Sequence, residues 1–175
     1  MDDMSDRSND TEQSVLSCDF NLETSLCHLL YRARQHVEGQ LAHSLSESGL
    51  TPRQFIVLLS IRKEEGLTQS DLVSQTGIDS STLGDMISRL LTRGLVVRRR
   101  LKRDGRLTAV RLSASGRRLL ERAAPAAEAV ERTLTAHISP QNLTQLLETL
   151  KRLPDSLLQE EEQSNAVPWE RRFSL

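Results

Sequence analysis

Aromatic residues are scarce in this 175-residue chain: one Trp, one Tyr and three Phe. Sheet-rich folds draw on aromatic and β-branched side chains, so a leucine-rich chain this poor in rings is expected to be mainly helical. Cysteine is nearly absent as well. Cys18 and Cys27 do not make a disulfide framework, and a reducing cytoplasm is the simplest home. No apolar run approaches the roughly 20 residues of a membrane span. The acidic, polar N-terminus lacks the pattern of a signal peptide, so no membrane partner is expected. No phosphate-binding glycine loop, HExxH or Gly-x-Ser-x-Gly occurs, which leaves an enzyme without machinery. His28, His36 and His43 are seven or eight residues apart. On a helix that is roughly 11 Å, too far to share a metal at about 2 Å per bond. Neither a metal nor a cofactor is expected.

A net charge of −1 hides a strong asymmetry. Residues 1–14 carry five acids and Arg7, and residues 155–175 carry five acids and two arginines. Between them, residues 89–122 hold 12 Lys and Arg against Asp104 and Glu121, a local charge of +10. Such density needs solvent or a polyanion beside it, and its field would steer and hold a nucleic-acid backbone.

Residues 68–116 explain where that charge belongs. Thr68 with Asp71 has the spacing of a capping box, and Gly77 suits the left-handed close of a short helix. Asp79 caps a second helix, with Leu83, Met86, Ile87, Leu90 and Leu91 at helical spacing and Gly94 at its end. Its first turn carries Ser80, Ser81 and Thr82, short polar groups suited to base edges or phosphates in a major groove. A strand beginning at Leu95, Val96 and Val97 and a partner from Thr108 to Leu112 flank a basic turn. Leu67 is expected to add a third, very short strand. The order is helix, turn, helix, hairpin.

This segment resembles the winged helix of the MarR family of bacterial transcription regulators. The resemblance rests on the helix pair around Thr76, Gly77, Ile78 and Asp79, then Asp104, Gly105 and Arg106, then Leu112, Ser113, Ala114, Ser115 and Gly116. It extends roughly over residues 21–153, with Ser113 where the family pattern has Thr. It implies a mainly α fold, an α+β winged helix-turn-helix at about 50–116. Dimerisation helices are expected at about 19–48 and 114–153. It also implies an obligate homodimer on a pseudo-palindromic DNA operator. Arg106 would enter the minor groove and Asp104 would fix the wing. An arginine also fits a narrow minor groove on electrostatic grounds. Base contacts are expected from Ser80, Ser81, Thr82, Asp85 and Arg89, and phosphate contacts from Arg98, Arg100, Lys102 and Arg103.

Outside this segment, residues 1–18 read as a disordered acidic tail. From about Asp19, an i, i+3, i+4 pattern through Leu22, Leu26, Leu29, Leu30, Ala33, Val37, Leu41 and Leu45 predicts a long helix ending near Gly49. Thr51, Pro52 and Gln54 start the next helix, whose apolar run 55–59 should be buried. After Gly116 a long helix should be kinked or interrupted at Pro125. Ser139 and Pro140 open the last helix, with Leu143, Leu146, Leu147 and Leu150 inward, and Pro154 should end it. Residues 154–175 are then a mobile tail, with docking of Trp169 as the alternative. The apolar faces of the first and last helices exceed what a winged helix buries, and a two-fold interface would cover them.

An effector site is also expected. The family resemblance implies a pocket between dimer helices and winged helix for aromatic acids, phenols or aromatic acyl-CoA thioesters. Tyr31, His28, Arg32, His36 and Arg53 are the candidate contacts. Cys27, with Tyr31 on the same face, resembles the reactive thiol of the peroxide-sensing branch, but that branch's further tyrosines are missing here. Cys27 is therefore read as a small buried packing residue, with thiol-based peroxide sensing as the alternative.

Overall fold

The computed structural model describes residues 21–64, 66–100 and 108–165. The N-terminal tail with Cys18, the wing-tip residues Lys102, Arg103, Asp104 and Arg106, and Trp169 lie outside the described residues. In chain order come α1 (Leu26–Ser44), a 3₁₀ turn (Ser46–Ser48), α2 (Pro52–Lys63), α3 (Gln69–Thr76) and α4 (Ser80–Thr92). Then follow β1 (Val96–Arg100), β2 (Thr108–Leu112), α5 (Ala114–Thr135) and α6 (Pro140–Asn165).

The chain punctuation works as local chemistry dictates. Thr51 accepts from the Gln54 N–H while the Gln54 side chain accepts from Thr51 N–H, and Thr68 and Asp71 do the same for α3. Such caps contribute about 1 kcal/mol each. Gly77 ends α3 at φ 66°. At the end of α4, Leu95 N–H donates to Leu90 C=O and Gly94 N–H to Leu91 C=O, with Gly94 at φ 66°. That is a Schellman close, and both leucines are buried in the core.

One core joins these elements. Leu45, Val57, Leu58, Ile61, Leu72, Leu83, Ile87, Leu90 and Leu120 are all but sealed from solvent. The three from α4 anchor it with about 2 kcal/mol each. β1 and β2 pair antiparallel, with Val96 opposite Leu112 and Arg98 opposite Val110.

Several expectations need correction. α1 begins at Leu26 rather than near Asp19, because Ser25 caps it and Asn21 organises a turn ahead of it. Leu67 makes no strand; it contributes one bond, accepting from Val110 N–H at 2.9 Å. α2 is not buried all round, since Ile56 and Leu59 are exposed. α5 runs unbroken through Pro125. The proline forfeits one backbone bond, but a 22-residue helix anchored by Leu120, Ala123 and Val130 tolerates that loss. α6 likewise continues past Pro154 to Asn165, so the expected tail boundary at residue 154 falls inside a helix.

Three of the four α6 leucines expected to face inward do not do so within the chain. Leu146, Leu147 and Leu150 are exposed, as are Leu22, Leu26 and Leu29 around the start of α1. Among the described residues, no element of the same chain packs extensively on α6, and none of its described residues joins the core. No described helix is long and apolar enough to cross a membrane.

Candidate nucleic-acid interface and effector cleft

α4 is set by its two ends and one buried stripe. Asp79 Oδ1 accepts from Thr82 N–H at 2.9 Å and from Ser81 Oγ at 2.7 Å. The Thr82 backbone bond, then the Thr82 and Ser81 hydroxyls, pull the Asp79 carboxyl down to about 2 from its ordinary 3.8. Leu83, Ile87 and Leu90 are buried, and at 100° per residue the opposite face presents Ser81, Asp85, Ser88 and Thr92, flanked by Arg89. All five are exposed. A 13-residue helix is roughly 20 Å long, and a major groove about 12 Å wide admits it.

The expected base-contact residues therefore divide. Ser81, Asp85 and Arg89 stand on the outer face, and Thr82 is half-buried beside them. Ser80 is exposed but lies towards α3, where its carbonyl accepts from Gln69 Nε2 at 3.1 Å. Sequence reasoning missed Ser88 and Thr92, which a step of seven residues from Ser81 and Asp85 would have found. It also missed Arg93, which reaches Gln54 Oε1 at 3.4 Å and ties the end of α4 to the start of α2.

Beside α4, Arg98, Arg99 and Arg100 are all exposed. Strand alternation places Arg98 and Arg100 on the sheet face of Val96, and Arg99 with Val97 on the other. Guanidinium groups on both faces of one strand offer bidentate donors to phosphate oxygens.

The strand-to-helix corner fastens this surface to α5. Ser113 Oγ and Ser115 Oγ both donate to Gly94 C=O, at 2.6 and 2.7 Å. Ser113 N–H donates to Leu95 C=O, and Ser113 Oγ also accepts from Gly116 N–H as the cap of α5. The exit of α4 and the entry of α5 thus share one hydrogen-bonded knot.

A cleft of about 470 Å³ opens between α1, α2 and the α3–α4 turn. Val37, Leu41, Ile56 and Ile78 supply apolar wall, and residues 76–79 form its end. Arg34, Glu38 and Arg53 supply charge. Glu38 sits between the two arginines, Oε2 3.8 Å from Arg34 Nη1 and Oε1 3.9 Å from Arg53 Nε. Of the five expected effector contacts, only Arg53 lines this cleft. Tyr31 reaches it at one remove, with the Arg34 guanidinium 5.9 Å from its ring centre. His28, Arg32 and His36 occupy another side of α1. Cys27 is exposed on the single chain, contrary to the buried packing role expected of it.

The Asp79 cap carries a pH prediction. Its carboxyl is depressed in the folded state, so the stabilisation it gives is present above about pH 4 and is lost as pH falls towards 2. Asn caps as well without titrating. Asp79→Asn is expected to leave a smaller fall in thermal stability between pH 5 and pH 2.5 than wild type shows. Parallel falls, followed by circular dichroism, would contradict this role.

Comparison with known proteins follows the same lines. A model of the MarR family matches residues 48–107. The organic hydroperoxide resistance transcriptional regulator of Bacillus subtilis is 33% identical over 102 residues, 58% of this chain and 69% of that one. BpsR of Bordetella bronchiseptica, whose DNA binding is regulated by 6-hydroxynicotinic acid, superposes with a TM-score of 0.71 at 29% identity, covering 78% of this chain and 97% of that one. CouR of Rhodococcus jostii, solved with p-coumaroyl-CoA, gives 0.72 at 27% identity, covering 77% and 94%. With its capped helix pair, hairpin and serine-latched corner, the chain belongs to the MarR family and is a winged-helix transcriptional regulator of that type.

Proposed function

We propose that the protein is a cytoplasmic, ligand-responsive repressor. It binds a pseudo-palindromic operator as a homodimer and is released by a small aromatic acid, phenol or aromatic acyl-CoA. The observation that carries this reading is an exposed polar helix face followed in the chain by an exposed basic strand. The outer face of α4, with Ser81, Asp85 and Arg89, is exposed, and β1, which follows α4 directly and packs against it, carries three consecutive exposed arginines. In this reading α4 reads base edges and Arg98 and Arg100, with Lys102 and Arg103, hold phosphates. Arg106 enters the minor groove and Asp104 steadies the wing. The uncovered leucines of α1 and α6 supply the two-fold interface. The repressor CouR, itself solved on a 23-mer DNA duplex, supports the DNA reading. The ligands of CouR and BpsR support an aromatic effector.

Salt dependence tests the phosphate role. Removing one arginine that neutralises a phosphate should reduce the slope of log affinity against log salt by about 1. Arg98→Gln is expected to do so while leaving base preference intact, measured by fluorescence anisotropy on duplex DNA. An unaltered slope would remove Arg98 from the interface.

Cys27 favours a second reading, peroxide sensing. The thiol is exposed, and the Bacillus relative is named for organic hydroperoxide resistance. Loss of peroxide-induced DNA release in Cys27→Ser would support it; release unchanged in that variant would dismiss it.

A further inference from the structure

Glu38 lies on the cleft wall between its two arginines, Arg34 and Arg53. It is held by two arginines, yet neither pair is close enough for a hydrogen bond, at 3.8 and 3.9 Å. Its side chain is 42% exposed, so it can swing to water at little cost, because exposed ion pairs of this kind are weak. We propose that Glu38 is a built-in competitor for the effector: an organic carboxylate enters the cleft, displaces Glu38 from Arg53 and Arg34, and lays its apolar body on Ile56 and Ile78. This rests on the effector reading above and narrows it to acids, excluding uncharged phenols.

The charge balance favours the exchange. Arg34 and Arg53 face Glu38, and Asp79 at the turn is the remaining acid on the cleft wall. Asp79 is committed to Thr82 N–H and Ser81 Oγ. Once Glu38 turns outward, two guanidinium groups stand over one incoming carboxylate, and a planar fork grips a carboxylate far better than the present geometry grips Glu38. The volume of about 470 Å³ lies within the usual range for a small-molecule pocket. Ile56, 43% exposed, offers apolar surface to cover.

The position of the cleft also supplies a route to the DNA face. Its end is the turn that carries Asp79, the cap of α4. A body seated on Ile78 presses on that turn, so ligand affinity differs between positions of the recognition helix. Such a difference is the condition for any ligand to shift an equilibrium.

Isothermal titration of the full chain tests the exchange, with benzoate and 2-naphthoate as probes and their amides as uncharged counterparts. Glu38→Gln, which keeps shape and removes the competing charge, is expected to bind both acids about 5-fold more tightly than wild type. Arg53→Gln should bind them at least 10-fold more weakly, and the amides should bind none of the three proteins measurably. Equal affinity of wild type and Glu38→Gln would overturn the proposal. So would amides binding as well as acids, or acids binding neither protein. If the acids bind in the expected order while DNA affinity stays constant, the exchange stands and the release mechanism fails.

Discussion

Replacing Leu147 and Leu150 of α6 by Glu is expected to leave the protein monomeric at micromolar concentration and to abolish operator binding. Both side chains are exposed on the isolated chain, at 44% and 38%, on a helix that the described residues of its own chain scarcely cover. In a two-fold dimer each substitution occurs twice, so four leucines leave the interface. Each has about two-fifths of its surface left to bury, worth about 1 kcal/mol. The loss is then roughly 4 kcal/mol, on the order of 10³-fold in the dimer constant, and four carboxylates forced into the seam add to it. Single-chain stability should change little, because neither residue belongs to the core. Sedimentation equilibrium measures the first effect and anisotropy on duplex DNA the second. A variant that stays dimeric would move the interface away from α6, and one that dissociates yet binds DNA as tightly would break the link between pairing and recognition.

Gly116→Ala is expected to be the most damaging small substitution in the winged helix. A β-carbon there would lie 2.0 Å from Leu95 O and 2.9 Å from Leu95 C. Both are backbone atoms, so no side chain can turn aside to make room. Overpacking against a fixed wall costs about 3 kcal/mol, which for a chain of this size lowers the melting temperature by roughly 10 °C. The damage falls on the knot that joins α4 to α5, so DNA affinity should fall as well. Ser113→Ala is the milder comparison. It removes one donor to Gly94 C=O and the cap of α5, but Ser115 Oγ still reaches the same carbonyl at 2.7 Å, and the cost should be about 1 kcal/mol. A Gly116→Ala melting temperature within a degree or two of wild type would mean that the corner yields freely.

Local rules make the DNA-facing half legible from residue order alone. Capping residues act within three positions of themselves, and Thr51, Thr68 and Asp79 cap as residue type predicts, while Ser113 caps an α5 that starts at Ala114, ahead of the expected start after Gly116. The buried stripe Leu83, Ile87 and Leu90 follows from period alone. Prolines mislead because their cost is fixed while the gain from a long helix grows with its length. Pro125 and Pro154 therefore sit inside α5 and α6. The cleft is the least legible part. Arg34, Val37, Glu38 and Leu41 share one side of α1, whereas His28, Arg32 and His36 centre about 170° away by helical geometry. Choosing residues by chemistry selects a stripe away from this cleft, since packing against α5 and α2 fixes how α1 is rotated. Arg53 escapes that ambiguity by its place on the first turn of α2, two residues after the cap Thr51.

The most direct test of the central claim, two recognition helices presented by a paired scaffold to one duplex, is selection of binding sites from random double-stranded DNA by the purified protein. The enriched sequence should be a two-fold pseudo-palindrome with half-site centres about 10 base pairs apart. Enrichment of a single unpaired half-site, or none at all in low salt, would contradict it.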